Sequence, residues 1–232
     1  MSRALKALAG VALVVALVAL GFRALSKDHD SPPADQATAS RTKVTPPPTP
    51  ADVPAEGMYV VSDVTADGEV HVETWLRAAQ PISELELTTT DPDLLPGSVE
   101  SLDLIVRTLD GTLVAHRDTV GTNHQRIRLR EPATDLWFSY TVDGAMDDAT
   151  STVQGRTLAR VLAMDVDYVG AGGVVRRLVT APGTVLNVAC LRPSEDFDAT
   201  PRPCGQPTGD GDWQVDLRGP DRNDRLLAQL EG

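Results

Sequence analysis

Residues 57–232 are constrained most strongly by a two-residue alternation of apolar and polar side chains. In one segment Val70, Val72 and Leu76 alternate with His71 and Glu73. A period of two is that of a β-strand, whose successive side chains point to opposite faces of a sheet. Turn sequences such as TADGE, LDGT and GDGD separate the alternating segments. The pattern therefore predicts an all-β body.

Regular spacing of these segments refines the predicted fold. Twelve segments are predicted as strands, namely 58–64, 70–76, 82–89, 102–107, 112–120, 125–129, 136–142, 157–168, 174–180, 184–190, 213–217 and 225–230. Short strands at this spacing favour an antiparallel β-sandwich, immunoglobulin-like or related. Segment 157–168 also fits a helix, but the alternation at its end favours one long strand. Tyr140 resembles the corner tyrosine of such sandwiches, whose hydroxyl bonds to upstream backbone.

The amino-terminal residues 1–25 are predicted to be a membrane anchor or a signal segment. Ala7–Phe22 contains no charged residue and is flanked by Lys6 and Arg23. Its length is slightly short for a spanning helix, but long basic side chains extend such a span by reaching the interface. A cleaved secretory signal has the same basic start and short apolar core. We therefore expect a single-pass cell-membrane protein with its body extracytoplasmic, secreted if the segment is cleaved.

Residues 26–56 have the composition of a linker. Seven of residues 31–56 are proline, and Val44 and Val53 are the only large aliphatic residues between 26 and 56. Such a segment cannot bury enough apolar surface to offset its ordering entropy, so it is predicted to be disordered. The run Pro46-Pro47-Pro48 favours extended polyproline II. The predicted organisation is an anchor (1–25), a spacer (26–56) and a β-sandwich body (57–232).

The charge of the body excludes one class of partner. Residues 57–232 carry 15 arginines against 28 Asp and Glu, with no lysine. A surface this acidic repels phosphates, so we expect no binding to nucleic acid. A net charge far from zero also keeps an exposed domain soluble.

Both cysteines lie close together, in NVACLRPSEDFDATPRPCG at 187–205. Outside the cytoplasm thiols oxidise, so Cys190 and Cys204 are predicted to form one structural disulfide across a loop rich in Pro, Asp and Arg. Closing a loop of this length contributes roughly 3 kcal/mol in a chain-entropy treatment.

Familiar cofactor and metal signatures do not occur in the sequence. There is no GxxxxGK[ST], GxGxxG, GxSxG, HExxH or CxxC. Three loops could each bring two carboxylates to a calcium ion, but none has the spacing of an EF-hand loop. Their carboxylates are Asp143, Asp147 and Asp148, Asp210 and Asp212, and Asp221 and Asp224. We therefore predict no cofactor, no metal site and no catalytic residue.

One arrangement of residues resembles the sortases, bacterial cysteine transpeptidases with an N-terminal membrane segment, a linker and a β-barrel. It consists of His116 in VAHRDT, Cys190 ending VLNVAC, and Arg192 or Arg202 downstream. The resemblance implies a nucleophilic Cys190, an acid/base His116 and oxyanion support from either arginine. Ala115 and Asn187-Val188-Ala189 replace residues of the family's motifs.

Two hypotheses about function follow from these observations. The favoured one is a noncatalytic, membrane-tethered, exported β-sandwich that binds an unknown protein or envelope component, with contacts at one end where loops gather. The alternative is a sortase-like transpeptidase using His116, Cys190 and Arg192 or Arg202. The two differ in one distance, because an enzyme needs the His116 and Cys190 side chains within a few ångströms.

Overall fold

A computed structural model describes residues 45–89, 100–120, 125–147, 155–161, 163–193 and 200–231. Within these ranges fourteen strands form two sheets and no α-helix occurs, which confirms the predicted all-β class. No helix in the same ranges is both long and apolar enough to cross a membrane. The predicted anchor, Ala7–Phe22, lies outside the described residues.

The larger sheet, called the first sheet, has nine described strands. Their order is β12-β13-β9-β1-β2-β5-β3-β4, with β8 pairing β2. The strands are β1 (Gly57–Val64), β2 (Val70–Thr88), β3 (Glu100–Thr108), β4 (Leu113–Val120), β5 (Gln125–Asp143), β8 (Asp165–Asp167), β9 (Val174–Thr180), β12 (Gln206–Pro207) and β13 (Trp213–Leu217).

The second sheet has five described strands in the order β11-β10-β14-β7-β6. They are β6 (Met146–Asp147), β7 (Arg156–Val161), β10 (Val185–Leu191), β11 (Arg202–Pro203) and β14 (Arg225–Glu231). All of its described pairs are antiparallel.

The first sheet is mixed, whereas the sequence predicted an antiparallel architecture. Strands β1 and β9 pair in parallel from Gly57↔Val174 to Asp63↔Thr180. Their first residues approach so closely that a Cβ on Gly57 would collide with the Val174 carbonyl, and one on Gly173 with the Glu56 carbonyl. Both glycines have positive φ, which glycine adopts at no steric cost. Alternation alone does not distinguish parallel from antiparallel neighbours, because both have a period of two.

Two pairs of predicted strands are each one long strand. Segments 70–76 and 82–89 lie in β2, and segments 125–129 and 136–142 lie in β5. The β2–β5 register shifts between Arg77 and Ile82, and Pro81 falls within this irregular stretch. Proline is tolerated at such a bulge because no ladder hydrogen bond is needed from it. The gap between the two predicted segments therefore marks a bulge within one strand.

Predicted strand 157–168 is divided between the two sheets. Residues 156–161 form β7 in the second sheet, and Asp165–Asp167 form β8 in the first. Where the chain changes sheets, the Met164 backbone N–H donates to the Tyr140 hydroxyl at 2.7 Å. Tyr140 thus accepts a hydrogen bond from downstream backbone, whereas the corner tyrosine it resembles bonds to upstream backbone. Burial raises the pKa of Tyr140 to about 12, so its hydroxyl stays protonated.

One apolar core lies between the sheets. Inward-facing residues of both sheets belong to a single buried cluster; the largest of its members that are almost completely buried are Phe138, Leu76, Leu85, Leu87, Leu104, Leu136 and Leu226. Apolar burial of this kind is the main favourable contribution to folding. The sheets therefore stabilise each other through their facing sides.

A second, smaller apolar cluster contains Val53, Tyr59, Trp75 and Trp137. Val53 belongs to the predicted linker, yet it is buried. Residues 45–56 are described and form turns and irregular backbone, while residues 26–44 lie outside the described residues. The domain boundary at residue 57 stays a prediction.

Candidate functional site

Cys190 and Cys204 are joined by a disulfide, with their Cα atoms 5.8 Å apart. Cys190 lies on β10 opposite Arg202 of β11. Strand β11 ends at the residue before Cys204. The Cys204 N–H donates to the Val188 carbonyl at 3.1 Å, and the indole of Trp213 donates to the Cys204 carbonyl at 2.8 Å. The bond therefore joins the residue that follows β11 to β10 and closes the segment 191–203, which we call the stapled loop.

The structure places Arg202 opposite Cys190, but it places His116 in the other sheet. His116 is exposed on β4, an edge strand of the first sheet, whereas Cys190 is buried in the second sheet. Cys190 lines a small cleft with Val215 of β13. From β13 to β4 there are six inter-strand steps, or about 29 Å along the sheet. A Cys–His pair needs hydrogen-bond reach, and the Cys190 sulfur is already bonded to Cys204.

The two candidate arginines have structural partners. Arg202 Nη2 lies 2.6 Å from a carboxylate oxygen of the buried Asp224. The Arg192 carbonyl accepts a hydrogen bond from Arg225 Nη2 at 2.9 Å. Asp224, one of the carboxylates considered for calcium, thus pairs with a guanidinium.

His116 instead shares an exposed edge with two aspartates. Ligand atoms of Asp103, His116 and Asp118 lie within 4.8 Å of one another, and His116 Nε2 is 3.7 Å from Asp118 Oδ1. Sequence spacing does not reveal this trio, because its members come from paired strands β3 and β4. Exposed acidic groups commonly gather without a ligand, and no other described feature at this edge points to one.

A cleft of about 450 Å³ lies beside β2 and β8 of the first sheet. Its walls come from four separate parts of the chain: Glu86 and Thr88 of β2, Asp165, Val166 and Asp167 of β8, Pro193 of the stapled loop, and Gly219, Pro220, Arg222 and Asn223 before β14. We call it the polar cleft. Six of its ten lining residues are charged or carry polar side chains that can bind a polar partner.

Asp165 is the titratable group most perturbed in the polar cleft. Burial raises the pKa of Asp165 to about 6, while the nearby Arg177, Arg222 and Arg225 oppose the rise. Arg177 is buried behind it, and burial lowers its pKa to about 10. Arg177 Nη2 donates to the Val161 carbonyl at 2.7 Å. A protonatable carboxyl therefore lies over a buried guanidinium at the wall of an open cleft, an arrangement that is enriched at functional sites.

A second, smaller cleft of about 250 Å³ adjoins the disulfide. Cys190, Arg202 and Cys204 form one wall, and Asp216 and Arg218 contribute to the other. The stapled loop thus borders both clefts, because Pro193 lines the larger one.

Sequence reasoning missed the polar cleft because its residues are far apart in the chain. One signal was present: Arg177 occupies an inward-facing position between Val175 and Val179 in an alternating strand. A charged side chain on the apolar face of a strand predicts a buried polar cluster, since buried charges need partners. No protein-family model matches this chain, and a search of curated proteins finds no similar one.

Proposed function

We propose that this protein is a noncatalytic binding module, tethered by Ala7–Phe22 to a membrane with its body on the extracytoplasmic side. The body is proposed to be a β-sandwich, immunoglobulin-like or related. Two sheets with alternating inward side chains and one shared core support that architecture. The parallel β1–β9 pair favours a related topology over the purely antiparallel immunoglobulin one.

The observation that carries the proposal is the disulfide-held end of the body. A disulfide persists in an oxidising compartment, which supports export. The same bond closes the stapled loop, whose described residues Pro193 and Arg202 line the two charged clefts. Binding costs less when the contact surface is already rigid. A fixed, charged and concave end is therefore the proposed contact surface, and its partner is a polar or charged envelope component.

Cell fractionation tests the tether and its orientation. We expect the full-length chain to sediment with membranes and to resist extraction by carbonate or high salt. Protease added to intact cells, after removal of any outer barrier, should degrade the body. Protection of the body from external protease contradicts export. An N-terminus beginning at Phe22 or Lys27 would replace the tether with a cleaved signal.

Site-specific crosslinking in living cells tests the contact surface. A photoreactive residue in place of the exposed Asn223 at the polar cleft should give a discrete crosslinked product. The matched control is the exposed Glu131 of β5, which does not line the cleft. Equal crosslinking from both positions, or none from Asn223, would contradict the cleft as the contact surface.

A further inference from the structure

Three aromatic side chains lie on the outer face of the first sheet, away from the second sheet. Tyr59, Trp75 and Trp137 are register partners on β1, β2 and β5, and we call them the aromatic row. Their strand neighbours Leu76, Leu136 and Phe138 belong to the core, so alternation places the row on the opposite face. The members of the row are nonetheless only 6, 4 and 3% exposed.

The cover over this row comes from the proline-rich segment. Val53 is 8% exposed and packs in the same cluster as the row. Arg176 of β9 donates to the Asp52 carbonyl at 3.2 Å, and the Val174 N–H donates to the Glu56 carbonyl at 3.3 Å. At the other end Pro46 is buried, and its Cδ lies in the space beside Gly111 in the β3–β4 turn.

The two anchors lie on opposite sides of the aromatic row. Pro46 lies at the β3 side and Asp52 at β9, and the sheet order between them is β3-β5-β2-β1-β9. Four inter-strand steps of about 4.8 Å span about 19 Å. The four steps of polyproline II from Pro46 to Pro50, at about 3.1 Å each, span about 12 Å. The chain then turns, and the Val53 N–H donates to the Pro50 carbonyl at 3.4 Å. Residues 46–53, called the strap, therefore cross the aromatic row as an irregular segment that ends in a turn.

We propose that the aromatic row is a recognition groove for extended proline-rich peptides, and that the strap is its resident ligand. Polyproline segments dock in aromatic-lined grooves because their preformed helix loses little entropy on binding. The buried indole nitrogen of Trp75 has no hydrogen-bond partner among the described residues. Buried indole N–H groups usually have an acceptor, so a peptide that supplies a carbonyl here would compete with the strap.

The groove also determines how the body is tethered. With the strap docked, the chain leaves the body beside the β3–β4 turn. Only residues before the strap then separate the body from the predicted anchor. This inference concerns a different face from the polar cleft, and its tests use purified protein, so its failure would leave the proposed function untouched.

Proteolysis of the purified full-length chain tests whether the strap is docked. A protease that cuts after Asp and Glu should cut at Asp35 but spare Asp52 and Glu56. Val53→Ser, which removes one buried apolar group, should make cleavage at Asp52 about tenfold faster. The matched control is Ala51→Ser, because Ala51 is exposed in the same segment. Cleavage of the wild-type chain at Asp52 as fast as at Asp35, or protection that Val53→Ser leaves unchanged, would overturn the docking.

Peptide binding tests recognition in trans. A fluorescent peptide TPPPTPADVPAE, identical to residues 45–56, should bind the Val53→Ser chain, measured by anisotropy. The wild-type chain should bind it at least about tenfold more weakly, since its own strap has a high effective concentration. The control peptide TAAATAADVAAE, in which every proline is alanine, should bind neither chain. Equal binding of both peptides, or no binding to Val53→Ser at millimolar peptide, would reduce the strap to a structural part of the body.

Discussion

On strand β5, Trp137 and Phe138 are neighbours in sequence and lie on opposite faces of the first sheet. Phe138 is 2% exposed and is covered by the second sheet, while Trp137 is 3% exposed and lies under residues of the proline-rich segment. Equal burial thus has two origins. A sheet is held by many backbone ladders, whereas a strap of eight residues is held by a few contacts.

This difference shows that fractional exposure does not measure how firmly a side chain is enclosed. Local opening is easiest where few apolar contacts and few hydrogen bonds must be lost. The inner face is therefore expected to open only with global unfolding, and the outer row to open locally. A groove that opens without unfolding the body is able to exchange its ligand.

Truncation of the two neighbours is expected to have the largest effects. Phe138→Ala should lower the free energy of unfolding by about 3–5 kcal/mol, because the second sheet cannot collapse into the cavity. Trp137→Ala should cost less than about 3 kcal/mol, since the strap can move into the space. Urea unfolding of the full chain measures both. Equal losses would show that the strap encloses the row as rigidly as a sheet does.

Loss of the disulfide should lower the stability of the body without loosening the strap. Replacing Cys190 and Cys204 together with Ser should lower the free energy of unfolding by at most about 3 kcal/mol, because strain and residual unfolded structure reduce the entropic gain. Protection of Asp52 from proteolysis should not change, since the bond lies in the second sheet.

The thiol state of the native chain checks the same bond directly. Intact mass should show no uptake of an alkylating reagent without reductant. Uptake by the unreduced native protein would contradict the disulfide.

Asp165 should make the free energy of unfolding depend on pH in an unusual direction for a carboxyl group. Its pKa rises from 3.8 to about 6 on folding, so the folded state binds more protons between these values. Its contribution to stability therefore falls as pH rises from about 4 to 6. At pH 7 Asp165→Asn should raise the free energy of unfolding by about 1–3 kcal/mol, allowing for solvent screening.

The exposed Glu131 of β5, which does not line the polar cleft, provides the control for this prediction. Thermal unfolding of the wild type and both variants at pH 4 and pH 7 measures the difference. Glu131→Gln should leave the effect of Asp165 in place. An Asp165→Asn chain with the wild-type pH dependence would show that this carboxyl does not titrate as described.

The smallest effect is expected on the outer face away from the aromatic row. His71 Nδ1 lies 3.0 Å from Thr141 Oγ1 in an exposed pair. His71→Ala should change the free energy of unfolding by less than about 0.5 kcal/mol, and Tm by no more than about 2 °C. A larger loss of stability would show that the outer face is also enclosed at residues outside the aromatic row.

Much of the local structure was predictable from the sequence, and most of the candidate sites were not. The alternation at Val70, Val72 and Leu76 placed a strand and its inner face correctly. The pairing of Cys190 with Cys204 followed from their proximity and the expected compartment. The polar cleft combines four distant parts of the chain, and only the inward-facing Arg177 signalled it.

From their composition alone, residues 46–53 could form either a free spacer or a segment docked on the body. Proline content predicted an extended spacer, whereas Pro46 and Val53 are buried and residues 50–53 form a turn. Whether such a segment stays free depends on the presence of a complementary aromatic surface. That surface is assembled from Tyr59, Trp75 and Trp137, which come from three strands.

By itself the sequence determined the all-β class, the inner and outer faces of most strands, the acidic surface and the disulfide. These depend on alternation, charge and the spacing of two residues, all of which are local or additive properties. Tertiary structure decided the parallel β1–β9 pair, the change of sheet at Met164, the polar cleft and the docked strap. Each of these depends on which distant segments become neighbours. An alternation with a period of two predicts which face of a sheet a residue lies on. It does not predict which segment of the chain packs against that face.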